Sequence, residues 1–240
     1  MNEHQHTRLL PIQGAYNVRD LGGYTTKNHR RVKWGKVFRS GDLNQLTEQD
    51  ISLLNQIGLK TYIDFRSEKE RSVAIDKEAD SVEQSIWMPI DAGDMSDMAN
   101  FDLKRVPTIM PEVYEIIIKH SQDVYKELFR ILQADSFTPL LFHCSAGKDR
   151  TGIAAALFLS SLNVEQEIIM EDYLLSAKYL KGKYDYFTTL YPALAPLSTV
   201  DSTYLQAAFD VIDSEFGGVN QYLTYNLGVN IEKMKDLYTE

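Results

Sequence analysis

Residues 140–158, LLFHCSAGKDRTGIAAALF, constrain the fold more than any other stretch of the chain. LLFHC (140–144) is apolar at nearly every position instead of alternating. That pattern suits a strand covered on both faces, as in a parallel sheet between layers of helices. The next residues are small or polar, and an apolar, alanine-rich run then resumes, which suits a buried helix. Strand, short loop and helix in this order belong to α/β architecture. The tip of the strand carries Cys144, the only cysteine in 240 residues.

The remaining chain agrees with that frame. KVFRS (36–40), LKTYIDF (59–65) and SIWMPI (85–90) read as further strands, rich in β-branched and aromatic residues. Thr47 with Asp50 forms a capping box ahead of a helix whose apolar face is Ile51, Leu54 and Ile57, stopped by Gly58. Ser67 with Glu70 forms a second capping box. Pro111 suits the first turn of a helix that breaks near His120 and is followed by VYKELFRIL. After the cysteine loop the chain is mostly helical. Helices are expected from Arg150 to Leu162, from an Asn163 cap to about Tyr179, and over 201–216 before Gly217 and Gly218, with two shorter ones at the C-terminus. The expectation is one domain over 1–240: a mainly parallel sheet flanked by helices, with a helical C-terminal half. Irregular inserts are expected near 91–110 and 180–200; long loops in compact domains often act as lids.

A single cysteine forms no internal disulfide, so the chain carries no mark of an oxidising compartment. The first residues lack the apolar core of a signal peptide, which predicts a cytoplasmic protein and leaves export by a non-classical route open. No apolar stretch reaches membrane-spanning length, so stable membrane insertion is not expected. The net charge of -9 argues against nucleic acid as a partner, which calls for a basic footprint. Any attraction for an anion must therefore be local.

The cysteine loop supplies such attraction. Strand, loop and helix bring the backbone N–H groups of Ser145, Ala146, Gly147, Lys148, Asp149 and Arg150 around one point, and helix N-termini and N–H nests bind anions. Gly147 permits the tight backbone of a cradle. Arg150 offers a guanidinium fork that matches two phosphate oxygens, and Lys148 adds a second positive charge. Such surroundings stabilise a thiolate, with His143 behind it and the Thr151 hydroxyl ahead. A thiolate facing bound phosphate is a nucleophile at phosphorus, and a cysteinyl-phosphate divides hydrolysis into two easier steps.

At these residues the chain resembles the protein tyrosine phosphatase superfamily. HCSAGKDRTG is similar to the active-site loop of its atypical bacterial and fungal branch, whose members act on phosphotyrosine, phosphoserine/threonine or phosphoinositides. NVRDLGGY (17–24), VFRSGDL (37–43), IDFRSEKE (63–70) and FGGVNQYLTYNLGV (216–229) resemble other recurrent segments of that branch. The resemblance implies a sheet flanked by helices and a phosphatase needing no cofactor or metal. Its partner is a phosphorylated protein or phosphoinositide substrate. It also implies Cys144 as nucleophile and Arg150 as the clamp on phosphate and transition state. The general acid is either Asp149, the in-loop aspartate suspected of that role in this branch, or Asp91 on a separate loop. This chain has M-P-I-D where many relatives have W-P-D.

Other charged residues have plainer readings. Arg19, Asp20, Arg39, Asp64 and Arg66 sit beside strands, where buried charges pair; Asp64 and Arg66 can also face the cleft as supporting groups. The lysines and aromatics of 178–191 suit either a helical hairpin or a lid. His4 and His6 make no metal site. Three rivals remain in view. A sulfur transferase also uses a cysteine in an N–H cradle, but K-D-R-T-G disfavours it. A phosphate-binding pseudo-enzyme would not need both Cys144 and Arg150. A nucleotide-binding loop requires an upstream glycine and a Ser/Thr after lysine, which are missing.

Overall fold

The computed structural model describes residues 7–92 and 106–240. Five strands form one sheet in the order β1-β2-β5-β3-β4. They are β1 (Arg19–Asp20), β2 (Val37–Ser40), β3 (Thr61–Asp64), β4 (Gln84–Trp87) and β5 (Leu140–His143). All neighbours run parallel except β1, which pairs antiparallel with β2. The mainly parallel sheet is as expected; the two-residue β1 is an additional strand at its edge. β5 is the middle strand, with Leu141 opposite both Phe38 and Tyr62. Leu140, Leu141 and Phe142 are fully buried. Their alternation feeds two cores: Ile63, Leu140 and Phe142 face one, and Phe38, Tyr62 and Leu141 the other. The unbroken apolar run of β5 follows from this two-sided burial.

Helix α1 (Glu48–Ile57) covers the second face through Leu54, and α2 (Glu68–Val73) follows β3. Both predicted capping boxes are formed, and Gly58 closes α1 at φ 69°. Asp50 also accepts the N–H groups of Gln13 and Gly14 at 2.9 and 2.8 Å, so a local cap anchors the N-terminal segment. The other face carries α3 (Val106–His120), α4 (Gln122–Leu132), α5 (Arg150–Ser161), α6 (Gln166–Tyr179) and α9 (Ser202–Phe216), with α3 packed along α9. Between α6 and α9 lie α7 (Asp185–Leu190), a 3₁₀ turn (Pro192–Leu194) and α8 (Ala195–Ser198). The chain ends with α10 (Val219–Gln221), a π turn (Tyr222–Asn226) and α11 (Ile231–Tyr238).

Three local expectations need correction. Helix α3 starts at Val106, so Pro111 lies inside it rather than in the first turn. Tertiary packing along α9 sustains the helix across the hydrogen bond a proline cannot make. The insert expected over 91–110 is therefore helical from 106 onward, while 93–105 lies outside the described residues. Asn163 does not cap α6: it adopts φ 62° just beyond α5, and its N–H bonds to Ser160, while the N-cap of α6 is Glu165. Asparagine is one of the few residues with a side chain that tolerates this left-handed conformation. The insert at 180–200 consists of short helical turns. Among the described residues no helix is long and apolar enough to cross a membrane.

Candidate active site

Cys144 follows β5 directly and is 2% exposed. The loop after it closes at Arg150, the first residue of α5. Three loop carbonyls are held from outside the loop. The Asp42 N–H donates to the Ser145 carbonyl at 3.3 Å. Asn17 Nδ2 donates to the Ala146 and Gly147 carbonyls at 3.2 and 2.9 Å, and Arg39 Nη2 reaches the Gly147 carbonyl at 2.7 Å. In a trans peptide the N–H points opposite to the carbonyl. The N–H groups of Ala146, Gly147 and Lys148 therefore face the concave side, as an anion cradle requires. Gly147 has φ 66°, and a Cβ there would lie 2.3 Å from the Ser40 carbonyl oxygen, so no other residue fits this approach.

Behind the loop sits a buried ionic knot. Asp172 of α6 accepts Arg19 Nε at 3.1 Å, Arg39 Nη1 at 2.7 Å and the Tyr24 hydroxyl at 2.7 Å. Burial pushes the Asp172 carboxyl up, but Arg19 and Arg39 outweigh it and hold the group well below the usual carboxylate range. Arg39 is pushed down to about 10, first by burial and then by Arg19. Arg19 also contacts the Asn17 side chain, so the knot fixes both side chains that pin the loop. Asp20 has a separate part: its oxygens accept the Gly22 and Gly35 N–H groups, each at 2.7 Å.

Arg150 is held by Glu70 of α2. Its Nη1 and Nη2 donate to the two Glu70 oxygens at 2.7 and 2.6 Å. Glu70 also accepts the Ser145 hydroxyl at 2.5 Å and the Ser67 N–H at 2.8 Å. Burial raises the Glu70 carboxyl, yet the Arg150 bonds dominate and hold it well below its ordinary value. Burial alone would lower Arg150, and the Glu70 bonds followed by Cys144 raise it on balance. One residue thus completes a helix cap and orients the loop arginine. The capping box was legible in sequence; the reach to Arg150 had no local signal.

The remaining predicted residues are placed as follows. Lys148 is buried, and its Nζ lies 2.9 and 2.8 Å from the two Asp149 oxygens, so its charge acts first on Asp149. The Thr151 hydroxyl is buried without a hydrogen-bond partner. His143 sets Nδ1 3.4 Å from the Cys144 carbonyl and Nε2 3.4 Å from Asp76. Burial depresses its pKa. Asp64 binds Arg66 at 2.9 Å, and Asp76 also contacts that guanidinium. Asp64, Asp76 and His143 are close enough to share a cation, but Arg66 already supplies the positive charge between the two carboxylates. Asp91 is exposed at the edge of the described segment. The preceding residue, Ile90, donates its N–H to the Phe65 carbonyl at 3.0 Å, and Arg150 Nη1 reaches the same carbonyl at 3.3 Å.

The profile of the tyrosine phosphatase family matches residues 10–240. This chain belongs to the tyrosine phosphatase family. A protein of Cupriavidus necator named as a tyrosine-protein phosphatase is 33% identical over 244 residues, spanning 95% of this chain and 88% of the relative. A tyrosine-protein phosphatase of Nostoc commune is 33% identical over 60% of this chain and 49% of that one. The triple specificity protein phosphatase PtpB of Mycobacterium tuberculosis is 25% identical over 90% of this chain and 92% of that one. The chain is a cysteine-based phosphatase, as its loop implied.

Proposed function

We propose that this phosphatase hydrolyses phosphotyrosine in proteins and accepts other phosphate monoesters, with Cys144 as nucleophile. The reading rests on the convergence of the thiol, three inward-facing loop amides and the Glu70-oriented guanidinium of Arg150 at the end of the central strand. Glu70 takes the Nη1–Nη2 edge of Arg150. The Nε–Nη2 edge is the one that serves phosphate. In the first step the thiolate forms a bond to phosphorus as the ester oxygen leaves with a proton. In the second step water attacks phosphorus, gives up a proton and releases the thiolate. Asp149, inside the loop, exchanges that proton in preference to Asp91. Relatives named as a tyrosine-protein phosphatase and as a triple specificity protein phosphatase support the breadth of this reading. The test is phosphate release from p-nitrophenyl phosphate in EDTA, with vanadate as inhibitor, then a panel of phosphotyrosine peptide, phosphoserine peptide and inositol lipid phosphates. Phosphate release blocked by vanadate, with fastest turnover on phosphotyrosine, is expected; absence of release from every substrate overturns the proposal.

We propose that the 180–200 segment acts as a lid for the cradle. Lys183 Nζ donates to Asp42 at 2.7 Å and sits 5.1 Å from the Tyr16 ring centre. Asp42 in turn holds the Ser145 carbonyl. The neighbouring Tyr184 hydroxyl is pushed up first by burial and then by the charges of Asp149 and Cys144. Lys183→Ala is expected to raise hydrogen exchange across 180–200 without changing it in β5, and to raise KM for a phosphotyrosine peptide several-fold while sparing a small aryl phosphate. Unchanged exchange and KM would remove the latch, since an ion pair that closes a lid must cost something when cut.

A further inference from the structure

Two tyrosines from separate helices form a chain of hydroxyls that ends on Asp149. Tyr114 of α3 donates its hydroxyl to Asp149 Oδ1 at 2.8 Å. Tyr173 of α6 has its hydroxyl 2.6 Å from that of Tyr114. A phenol has one hydrogen to give. Tyr114 gives its own to Asp149, so Tyr173 is the donor to Tyr114. The two rings meet edge to face at 83°, and both residues are buried, at 0% and 1% exposure. Tyr204 of α9 packs its ring 6.1 Å from that of Tyr114. The charged groups facing Asp149 are Lys148 and Arg150 of its own loop. Phenylalanine would fill the same apolar space, so two buried hydroxyls aligned on the one loop carboxylate call for an account beyond packing.

We infer that Tyr114, backed by Tyr173, is a positioning residue that orients the Asp149 carboxyl and stabilises its ionised form during proton exchange with the substrate. The inference rests on the reading of Asp149 as the proton-exchanging group. As the ester P–O bond breaks and the S–P bond forms, the proton moves from Asp149 to the leaving oxygen. The carboxylate left behind meets Lys148 and the Tyr114 hydroxyl. When water attacks the cysteinyl-phosphate its proton returns to Asp149 and the thiolate departs, so the cycle closes with no net change in either tyrosine. A donor aimed at the carboxylate favours the charged form, and a chain of two hydroxyls strengthens the terminal bond. Removal of the Tyr114 hydroxyl takes one of these donors away from the carboxylate.

The test is the pH dependence of kcat/KM for phosphoserine peptide, whose alkoxide needs a proton, and for p-nitrophenyl phosphate, whose phenolate does not. In wild type the alkaline limb for the alkyl substrate reports loss of the acid's proton. In Tyr114→Phe that limb is expected to move to higher pH by about one unit, because a hydrogen bond to a charged group is lost. In Tyr173→Phe, which keeps the Tyr114 bond, the shift is expected in the same direction but smaller. The Tyr173 variant carries the test if Tyr114→Phe fails to fold. In Asp149→Asn the limb is expected to vanish, and adding Tyr114→Phe to it should change nothing further. A limb abolished by Asp149→Asn but unmoved in either tyrosine variant overturns the positioning role and leaves the acid assignment standing. A limb that survives Asp149→Asn overturns the acid assignment itself, and the inference with it.

Discussion

Cys144→Ser is expected to abolish turnover while leaving oxyanion binding close to that of the wild type. The change exchanges one atom at a buried position, so the cradle, the Arg39 bond to Gly147 and the Glu70 clamp on Arg150 all persist. A serine hydroxyl is a far poorer nucleophile than a thiolate at neutral pH, and no phospho-enzyme forms. The expected loss exceeds about 10³-fold in kcat, larger than the 10²–10³ typical of removing one preorganised electrostatic contact. Titration calorimetry with a phosphotyrosine peptide, beside a stopped assay on the same peptide, measures both halves. Residual activity within about tenfold of wild type would show that phosphoryl transfer does not pass through this sulfur.

The second large effect is structural and lies behind the loop. Asp172→Asn is expected to destabilise the protein by about 3–5 kcal/mol, the range for breaking one side of a buried ion pair. Arg19 and Arg39 are fully buried, and the single carboxylate of Asp172 answers both. An asparagine amide would turn a donor toward one of the two guanidinium groups. Urea denaturation of the two proteins is the measurement, and a difference below about 1 kcal/mol would mean that the guanidinium groups find other partners. The pH dependence has a definite sign. The folded pKa of Asp172 lies below its unfolded value near 3.9. Its contribution is therefore complete above the unfolded pKa and is lost as pH falls through the folded one. The gap between wild type and Asp172→Asn should stay constant from pH 5 to 8 and narrow only in strong acid. The loop should also loosen, since Arg39 holds the Gly147 carbonyl, and activity should fall with stability.

What could be read from the sequence was local in range. The apolar run of β5, the glycine at 147 and the arginine at 150 lie within about ten residues, and each states its requirement through backbone geometry or burial. Capping boxes at Thr47 and Ser67 work over three residues and were formed as read. Asn163 looked like a helix start because its side chain can cap, yet the same residue tolerates φ 62°, and the chain used it to leave α5. Pro111 looked like a first turn, but α3 runs through it because α9 packs along its length.

By itself the sequence determined the layered α/β class, the central strand, the cysteine loop and the chemistry that loop can support. These follow from hydrophobic pattern and from residue types a few positions apart. Only the tertiary structure decided which distant groups serve the loop. Asp172 meets Arg39 across 133 positions, although Glu167 and Glu171 on the same helix carry the same charge. Asn17 reaches the Gly147 carbonyl across 130 positions, Glu70 reaches Arg150 across 80, and Tyr114 reaches Asp149 across 35. A carboxylate or a hydroxyl carries no local mark of its partner. The choice is made when the helices pack and each buried charge must find the one opposite group within hydrogen-bond reach.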